Sequence, residues 1–131
     1  MTLYESLLEA VTTEYDTLRV LKQSPRGTVS VVRHKKSGTR YVFRRYSGSG
    51  EVYRRLLPVL CPHLPQIMEA AEQDGQTAVL EEYVQGDTLA ELLMGARLTE
   101  REARQVTMQL CQALHVLHSM GAVHRDVKPE N

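Results

Sequence analysis

The spacing of hydrophobic residues changes twice along the chain. The first residues carry hydrophobic side chains at helical intervals, namely Leu3, Leu7, Leu8 and Val11. They follow Thr2, a residue type that commonly caps the start of a helix, so the pattern predicts an amphipathic helix within residues 1–14. The middle of the chain then follows a strand-like pattern, and the last part returns to helical spacing.

Five segments in the middle of the chain are typical of β-strands. Residues 15–22, 28–33 and 41–46 are rich in Val, Leu, Thr and Tyr. Ser37-Gly38 supplies a turn between the second and third of these segments. Two further segments, "QIMEAA" and "TAVLEEYV", are separated by Asp74-Gly75, a dipeptide that favours a two-residue hairpin. The sequence therefore predicts five antiparallel strands.

Two short helices are predicted beside these strands. After the third strand, "GEVYRRLLPVL" begins as a helix that Pro58 must end, because proline inside a helix costs about 3 kcal/mol. After the fifth strand, "GDTLAELL" offers Asp87 or Thr88 as the N-cap and Gly95 as the stop. Both helices are expected to be only a few turns long.

A longer helix is predicted near the end of the sequence. Thr99 and Glu102 have the spacing of a capping box, and Gly121 marks the end of the helical pattern. One face carries an apolar stripe of Val106, Leu110, Ala113, Leu114 and Leu117. Such a stripe is typical of a helix that packs against a core.

The composition excludes several classes of function. Sixteen basic and sixteen acidic residues balance to a net charge of zero, so the sequence predicts neither a nucleic-acid partner nor a membrane. The basic stretch "RHKK" has few aromatic neighbours and is interpreted as a solvated strand end. Cys61 and Cys111 are isolated, and no apolar run approaches the roughly 20 residues that cross a bilayer. A cytoplasmic protein is expected.

The stretch "HRDVKPEN", residues 124–131, carries the most specific signal. Together with five strands, one helix between the third and fourth strands, and two later helices, it resembles the first half of a eukaryotic-type Ser/Thr protein kinase domain. The resemblance implies an α+β fold across residues 1–131. It divides them into the N-terminal helix 1–14, an N-lobe at 15–84, and the hinge exit, helices and catalytic loop of a C-lobe at 85–131.

This resemblance assigns roles to the catalytic-loop residues. It implies that Asp126 receives the proton of the substrate hydroxyl and that Asn131 holds a magnesium ion. Lys128 would reach the transferring phosphoryl group, His124 would brace the loop, and Arg125 would meet a phosphorylated activation loop. ATP and Mg²⁺ are the cofactors that the family uses.

Adenine recognition falls on "VLEEYVQGDTL", which is similar to the kinase hinge. The resemblance places the carbonyl of Glu82 and the amide of Val84 against the adenine, with Glu81 in the gatekeeper position behind it. Taken alone, the stretch is an apolar strand that runs into a turn.

The glycine-rich loop of the family is altered in this chain. Its three glycine positions fall on Lys22, Ser24 and Gly27, and its valine falls on Val29. Pro25 removes an amide that could have pointed at phosphate. Gly27 and Val29 are the candidate nucleotide contacts here, and an ordinary proline-containing hairpin is the alternative interpretation.

The family's strand motif V-A-I-K also differs. Its letters fall on "YVFR", so Arg44 replaces the lysine that grips the phosphates and Val42 adds bulk beside the adenine. Arginine keeps the charge but not the geometry of a compact ammonium group, so catalysis is expected to be impaired. Glu51 is the candidate helix partner of Arg44, and Glu81 is hypothesised to form an internal ion pair with it.

Three readings of the function follow. The D-F-G segment and substrate platform of a kinase would lie beyond Asn131, so the first reading is a truncated kinase that does not transfer phosphate by itself. The second is a pseudokinase that binds partners, or a nucleotide weakly. The third is a scaffold that assembles, with homo-oligomers expected through the apolar stripe of residues 99–120.

Overall fold

The computed structural model describes all residues from Met1 to Asn131. Its helices and strands are, in chain order, α1 (Leu3–Glu14), β1 (Tyr15–Ser24), β2 (Gly27–His34), β3 (Arg40–Ser47), α2 (Glu51–Leu56), β4 (Ile67–Gln73), β5 (Gln76–Glu82), α3 (Leu89–Gly95) and α4 (Glu100–Ser119). The five strands form one antiparallel sheet in the order β1-β2-β3-β5-β4. The predicted α+β class and five-stranded sheet are confirmed.

The chain divides into two compact units. The first unit contains Met1–Leu60 and Pro65–Tyr83, and the second contains Cys61–Leu64 and Val84–Asn131. The whole sheet, together with α1 and α2, belongs to the first unit.

Helix α1 covers one face of the sheet. Thr2 and Glu5 form a capping box at its start. Tyr4 and Leu7 are buried in the first core cluster, whose other buried members are Val32, Phe43, Ala71, Ala78 and Leu80. The hydroxyl of Tyr4 also accepts a hydrogen bond of 3.2 Å from Nε of Arg45 on β3. The predicted N-terminal helix is therefore an integral part of the first unit.

The end of α1 is also held by β2 and the turn that follows it. The backbone amide of Lys35 donates to the carbonyl of Glu14 at 2.9 Å, and its Nζ donates to the carbonyl of Thr13 at 3.0 Å. These bonds supply partners for carbonyls that a helix C-terminus leaves unpaired. Both ends of α1 are thus fixed by specific polar contacts.

A second, smaller core lies around α2. Its buried residues are Ile67, Ala70 and Val79, and the side chains packed against them are Tyr46, Tyr53, Leu56 and Leu57. The helix is six residues long, in agreement with the early stop predicted from Pro58. Tyr53 of α2 contributes an aromatic ring to this core, and the centroid of that ring lies 6.2 Å from the centroid of the Tyr46 ring.

The hairpin between β4 and β5 has the predicted two-residue turn. Asp74 and Gly75 both have left-handed backbone angles, with φ of 51° and 75°. Two consecutive residues of this kind form the turn whose twist matches that of the flanking strands.

Strand β1 lies at one edge of the sheet and is irregular. Its pairing with β2 shifts register between Thr17 and Arg19 and again between Val20 and Lys22. Leu18 and Leu21 are the extra residues at these two β-bulges, and both are exposed.

Helices α3 and α4 belong to the second unit. Thr88, one of the two predicted candidates, caps α3, and Thr99 forms the predicted capping box with Glu102 at the start of α4. Gly121, with φ of 74°, follows the C-cap of α4, so its glycine stop is also confirmed.

The apolar stripe of α4 is only partly buried. Ala113 and Leu117 are buried, whereas Leu110 retains 41% of its exposure. The stripe therefore packs on a core at Ala113 and Leu117 and leaves an apolar side chain exposed at Leu110. Self-association through this helix stays a prediction. None of the helices combines the length and apolar character that a bilayer crossing requires.

Candidate functional site

Strand alternation brings Arg44 and Glu81 to the same face of the sheet. In the register of β3 and β5, Val42 lies opposite Glu81 and Arg44 lies opposite Val79. Side chains two residues apart share a face, so Arg44 and Glu81 are diagonal neighbours. Val29 on β2 lies opposite Arg44 and joins the same group. These candidate residues are therefore adjacent in the first unit.

Arg44 and Glu81 form the ion pair that the sequence suggested. Nε of Arg44 donates to Oε1 of Glu81 at 2.6 Å. The Glu81 side chain is only 7% exposed, whereas that of Arg44 is 35% exposed. A charge-assisted bond this short is among the stronger hydrogen bonds in proteins, and burial of the carboxylate limits its screening by solvent.

Glu51, the candidate helix partner of Arg44, has a different neighbour. Its Oε1 atom accepts from Arg55 at 2.5 Å, a bond between residues four apart on α2. Arg44 therefore pairs with Glu81 on β5, and Glu51 pairs with Arg55 on its own helix. The physical reason is that residues four apart on a helix are neighbours, so Arg55 offers Glu51 a cation on its own helix.

Tyr53 is a site residue that the sequence did not reveal. Burial raises the pKa of its hydroxyl, while the nearby Arg44 acts to lower it and Glu81 acts to raise it. These influences place the Tyr53 phenol in the electrostatic field of the ion pair. The periodicity of so short a helix gave no signal for this position.

The β1–β2 hairpin uses its own polar groups instead of leaving them for a ligand. Ser24 Oγ accepts from the backbone amide of Arg26 at 3.3 Å, and Pro25 has no amide to donate. Gly27 fits its position because a Cβ atom there would lie 2.1 Å from the carbonyl oxygen of Arg45. Close packing of β2 on β3 thus explains this glycine without reference to phosphate.

A cavity of about 250 Å³ lies beside this hairpin in the first unit. Its lining includes Lys22 and Arg26 from the hairpin, Val29 from β2, Arg44 from β3 and Tyr53 from α2. Val42, the other candidate nucleotide contact on β3, is buried. Because Lys22, Arg26 and Arg44 line it, the cavity is strongly basic.

The predicted adenine contacts occupy the end of β5 and the residues after it. Glu82 is the last residue of β5, and its amide donates to the carbonyl of Gln66 at 2.8 Å. Its carboxylate accepts from the Gln66 amide at 3.0 Å. Val84 follows in the second unit and is 63% exposed. Their roles toward adenine stay predictions.

The second unit gathers three of the predicted catalytic residues. Nδ2 of Asn131 donates to the carbonyl of Asp126 at 2.8 Å and to its carboxylate at 3.1 Å. Nζ of Lys128 lies 3.6 Å from Oδ1 of Asp126. The Asp126 amide donates to Nδ1 of His124 at 3.1 Å, and Arg125 has a left-handed φ of 68°. These contacts curl the loop around the Asp126 carboxylate.

The contacts tune the acidity of Asp126. The hydrogen bond from Asn131 and, next, the charge of Lys128 hold its pKa below the ordinary value. The carboxylate is therefore ionised at neutral pH, as a group that accepts a hydroxyl proton must be. The stabilisation that the ionised Asp126 carboxylate gives to the folded chain is present at neutral pH. It is lost as the pH falls through the lowered pKa of this group.

We expect Asn131→Ala to raise the pKa of Asp126 toward its ordinary value, because the largest cause of the lowering is removed. Carboxyl-carbon NMR during a pH titration measures this shift. Glu130→Ala is the matched control, since the neighbouring residue has no assigned contact with Asp126. An unchanged Asp126 titration in Asn131→Ala would show that the hydrogen bond does not form in solution.

The five-stranded antiparallel sheet, the helix between its third and fourth strands, and the two later helices follow in the order that the resemblance implied. The family model of the protein kinase domain matches residues 26–131, and the chain therefore belongs to the protein kinase domain family. Serine/threonine-protein kinases are among its relatives.

Two curated relatives show the extent of the similarity. Human Rho-associated protein kinase 1 is 29% identical over 129 residues, which cover 90% of this chain and 10% of that protein. The MAP kinase-interacting serine/threonine-protein kinase mnk-1 of Caenorhabditis elegans is 32% identical over 116 residues, with coverage of 80% and 16%. The chain thus spans a small part of the length of these relatives.

A solved structure shows the same fold. The crystal structure of Rad53 1-466 in complex with AMP-PNP superposes with a TM-score of 0.76 at 22% identity, covering 97% of this chain and 37% of that chain. This likeness supports the kinase-like arrangement of strands and helices.

The residues fit the family's cofactors unequally. The phosphate side has lost its amide cradle, because Pro25 lacks an amide and that of Arg26 is bonded to Ser24. The catalytic loop fits better, since Asn131 uses its amide nitrogen in the bonds to Asp126 and retains an amide oxygen of the kind that Mg²⁺ prefers.

Proposed function

We propose that this chain is a Ser/Thr protein kinase-type module whose phosphate-gripping cation is held by its own gatekeeper. The Arg44 Nε to Glu81 Oε1 bond of 2.6 Å carries the proposal. In this state the module binds ATP weakly and does not transfer phosphate to a protein hydroxyl.

Competition for Arg44 is the physical basis. A guanidinium group that already donates to a buried carboxylate must lose that bond before it can fully engage a phosphate. The carboxylate left behind would then be buried without its cation, which is costly. A nucleotide must offset both effects, so its apparent affinity falls.

The β1–β2 hairpin is a second argument against phosphoryl transfer. Phosphoryl transfer depends on positioning and on neutralising the charge of the transferring group. Here, an amide cradle is missing at Pro25 and Arg26, and arginine replaces lysine at position 44. Asp126 is an ionised carboxylate that can accept a proton, but the hairpin lacks the amides that would orient the phosphates.

Glu81→Gln tests the proposal. The amide keeps the size of the side chain but removes the charge that holds Arg44, so we expect MgATP to bind about tenfold more tightly than to the unaltered chain, a change of about 1.4 kcal/mol. Calorimetric titration with millimolar nucleotide measures the affinity. A phosphoryl-transfer assay on a general Ser/Thr peptide mixture is expected to remain negative.

Glu9→Gln is the control, because it makes the same change at an exposed carboxylate on α1 that is not part of the cavity lining. It should leave the nucleotide affinity unchanged. Micromolar binding by the unaltered chain, together with no gain in Glu81→Gln, would refute self-blocking. Peptide phosphorylation by the unaltered chain would refute the proposed lack of catalysis.

A further inference from the structure

A groove in the second unit is lined by residues that the proposed function does not use. Its volume is about 420 Å³, within the roughly 300–1,000 Å³ typical of ligand-binding pockets. One side is the turn Cys61–Leu64, which contributes His63 and is closed by a 3.2 Å bond from the Leu64 amide to the Cys61 carbonyl. The other side is a face of α4 that contributes Arg101, Arg104, Gln105, Met108, Gln109 and Gln112.

The groove is long enough for a short segment of extended chain. Its lining runs along α4 from Arg101 to Gln112, which at a helical rise of about 1.5 Å per residue is about 16 Å. An extended chain advances about 3.3 Å per residue, so this length matches about five residues. A compact small molecule would fill only part of it.

Three carboxamides in the groove suit the backbone of a peptide. Gln105, Gln109 and Gln112 share one face of α4, and successive members are about 6 and 4.5 Å apart along the axis. All three side chains are exposed, and none of them forms a hydrogen bond within the chain. A carboxamide offers both donors and an acceptor, so it can bind the C=O and the N–H of an extended chain, whose exposed edge repeats about every 6.6 Å.

The charge of the groove favours carboxylates. Arg101 takes part in no ion pair of the structure. Arg104 donates to Glu100 at 2.8 Å, but the two side chains are 71% and 88% exposed, so solvent weakens this pair and a ligand can compete for the guanidinium. No carboxylate is among the lining residues. Acidic side chains of a ligand are therefore expected near the start of α4, because guanidinium groups bind carboxylates through paired hydrogen bonds.

We propose that this groove binds an extended, acidic peptide segment of a partner protein. Arg101 and Arg104 bind carboxylate side chains of the segment, and the three glutamines bind its backbone. All of these residues belong to the second unit, and none of them is part of the Arg44–Glu81 pair. The inference is therefore independent of the proposed function.

An N-acetylated, C-amidated hexaglutamate peptide is the probe, titrated calorimetrically into the full chain at low salt. We expect saturable binding that weakens as salt is added, because the charges involved are exposed. Arg101→Ala should lower the affinity at least about tenfold. Arg97→Ala is the matched control, since it removes the same charge from an exposed residue outside the groove and should leave the affinity unchanged.

A second pair of variants tests recognition of the peptide backbone. Gln105→Ala/Gln109→Ala keeps every charge of the chain and should lower the hexaglutamate affinity about fivefold, because two carboxamides that bind the backbone are lost. Gln85→Ala removes an exposed carboxamide of the same unit outside the groove and should have no effect. Far-ultraviolet circular dichroism confirms that each variant is folded before titration.

Four results would overturn the inference. They are no saturable hexaglutamate binding by the unaltered chain, equal affinities of Arg101→Ala and Arg97→Ala, an unchanged affinity of Gln105→Ala/Gln109→Ala, and binding of citrate as tight as that of the peptide, which would indicate a small carboxylate ligand. Glu81→Gln separates the two proposals, because it should bind hexaglutamate as the unaltered chain does, whatever its affinity for MgATP.

Discussion

Arg44→Ala is expected to lower the free energy of unfolding by about 3 kcal/mol at neutral pH, because it leaves the Glu81 carboxylate buried without its cation. Breaking a buried pair costs more than the pair contributes, since the remaining charge stays desolvated. Urea unfolding followed by circular dichroism measures the change as a lower midpoint with an unchanged slope.

Two further variants isolate the cause. Arg40→Ala removes an exposed arginine from the same strand and should change the stability by less than about 0.5 kcal/mol. Arg44→Met combined with Glu81→Leu replaces the pair by apolar side chains and should recover most of the loss. If Arg44→Ala is as stable as Arg40→Ala, the ion pair does not hold the sheet together.

Leu7→Ala is expected to destabilise the first unit by about 3 kcal/mol, within the range measured when a buried leucine is truncated to alanine. Leu7 is 7% exposed and belongs to the core cluster that α1 forms with the sheet. The cost combines lost burial with the cavity left between helix and sheet. Thermal and urea unfolding of the full chain measure it.

Leu3→Ala is the matched control on the same helix. Leu3 is 57% exposed, so removing its side chain should alter the stability only slightly. Equal effects of the two substitutions would mean that α1 does not pack on the sheet through Leu7.

Local sequence signals were sufficient for the secondary structure. Asp74-Gly75 predicted its hairpin because few residues other than glycine and asparagine or aspartate accept the two left-handed conformations required. Thr99 and Glu102 predicted the start of α4 because both halves of a capping box lie within one helical turn. Signals of this kind depend on a few neighbouring residues, so they survive without knowledge of the tertiary structure.

The Arg44–Glu81 pair was predictable for a different reason. The resemblance placed Glu81 at the gatekeeper position near Arg44, and the register of β3 and β5 makes the two residues diagonal neighbours on one face. The partner proposed on the helix, Glu51, depended instead on the length and direction of α2. Its pairing with Arg55 satisfies the carboxylate locally, so no contact with Arg44 is formed.

The packing of α1 and the insertion of Tyr53 could not be read from the pattern. The spacing of Leu3 and Leu7 shows that a helix has an apolar face but not which surface covers it. Tyr53 lies on a helix of six residues, too short for periodicity to separate its two faces. The bond from Arg26 to Ser24 likewise depends on the exact turn conformation.

The irregular edge of the sheet has a consequence for the behaviour of the chain in concentrated solution. An outer strand with a regular row of unpaired amides and carbonyls can serve as a template for a strand from another molecule. In β1, the bulges at Leu18 and Leu21 interrupt that row, and Arg19 and Lys22 set charges beside them. A foreign strand could pair with β1 only over short stretches, which disfavours fibril growth from this edge.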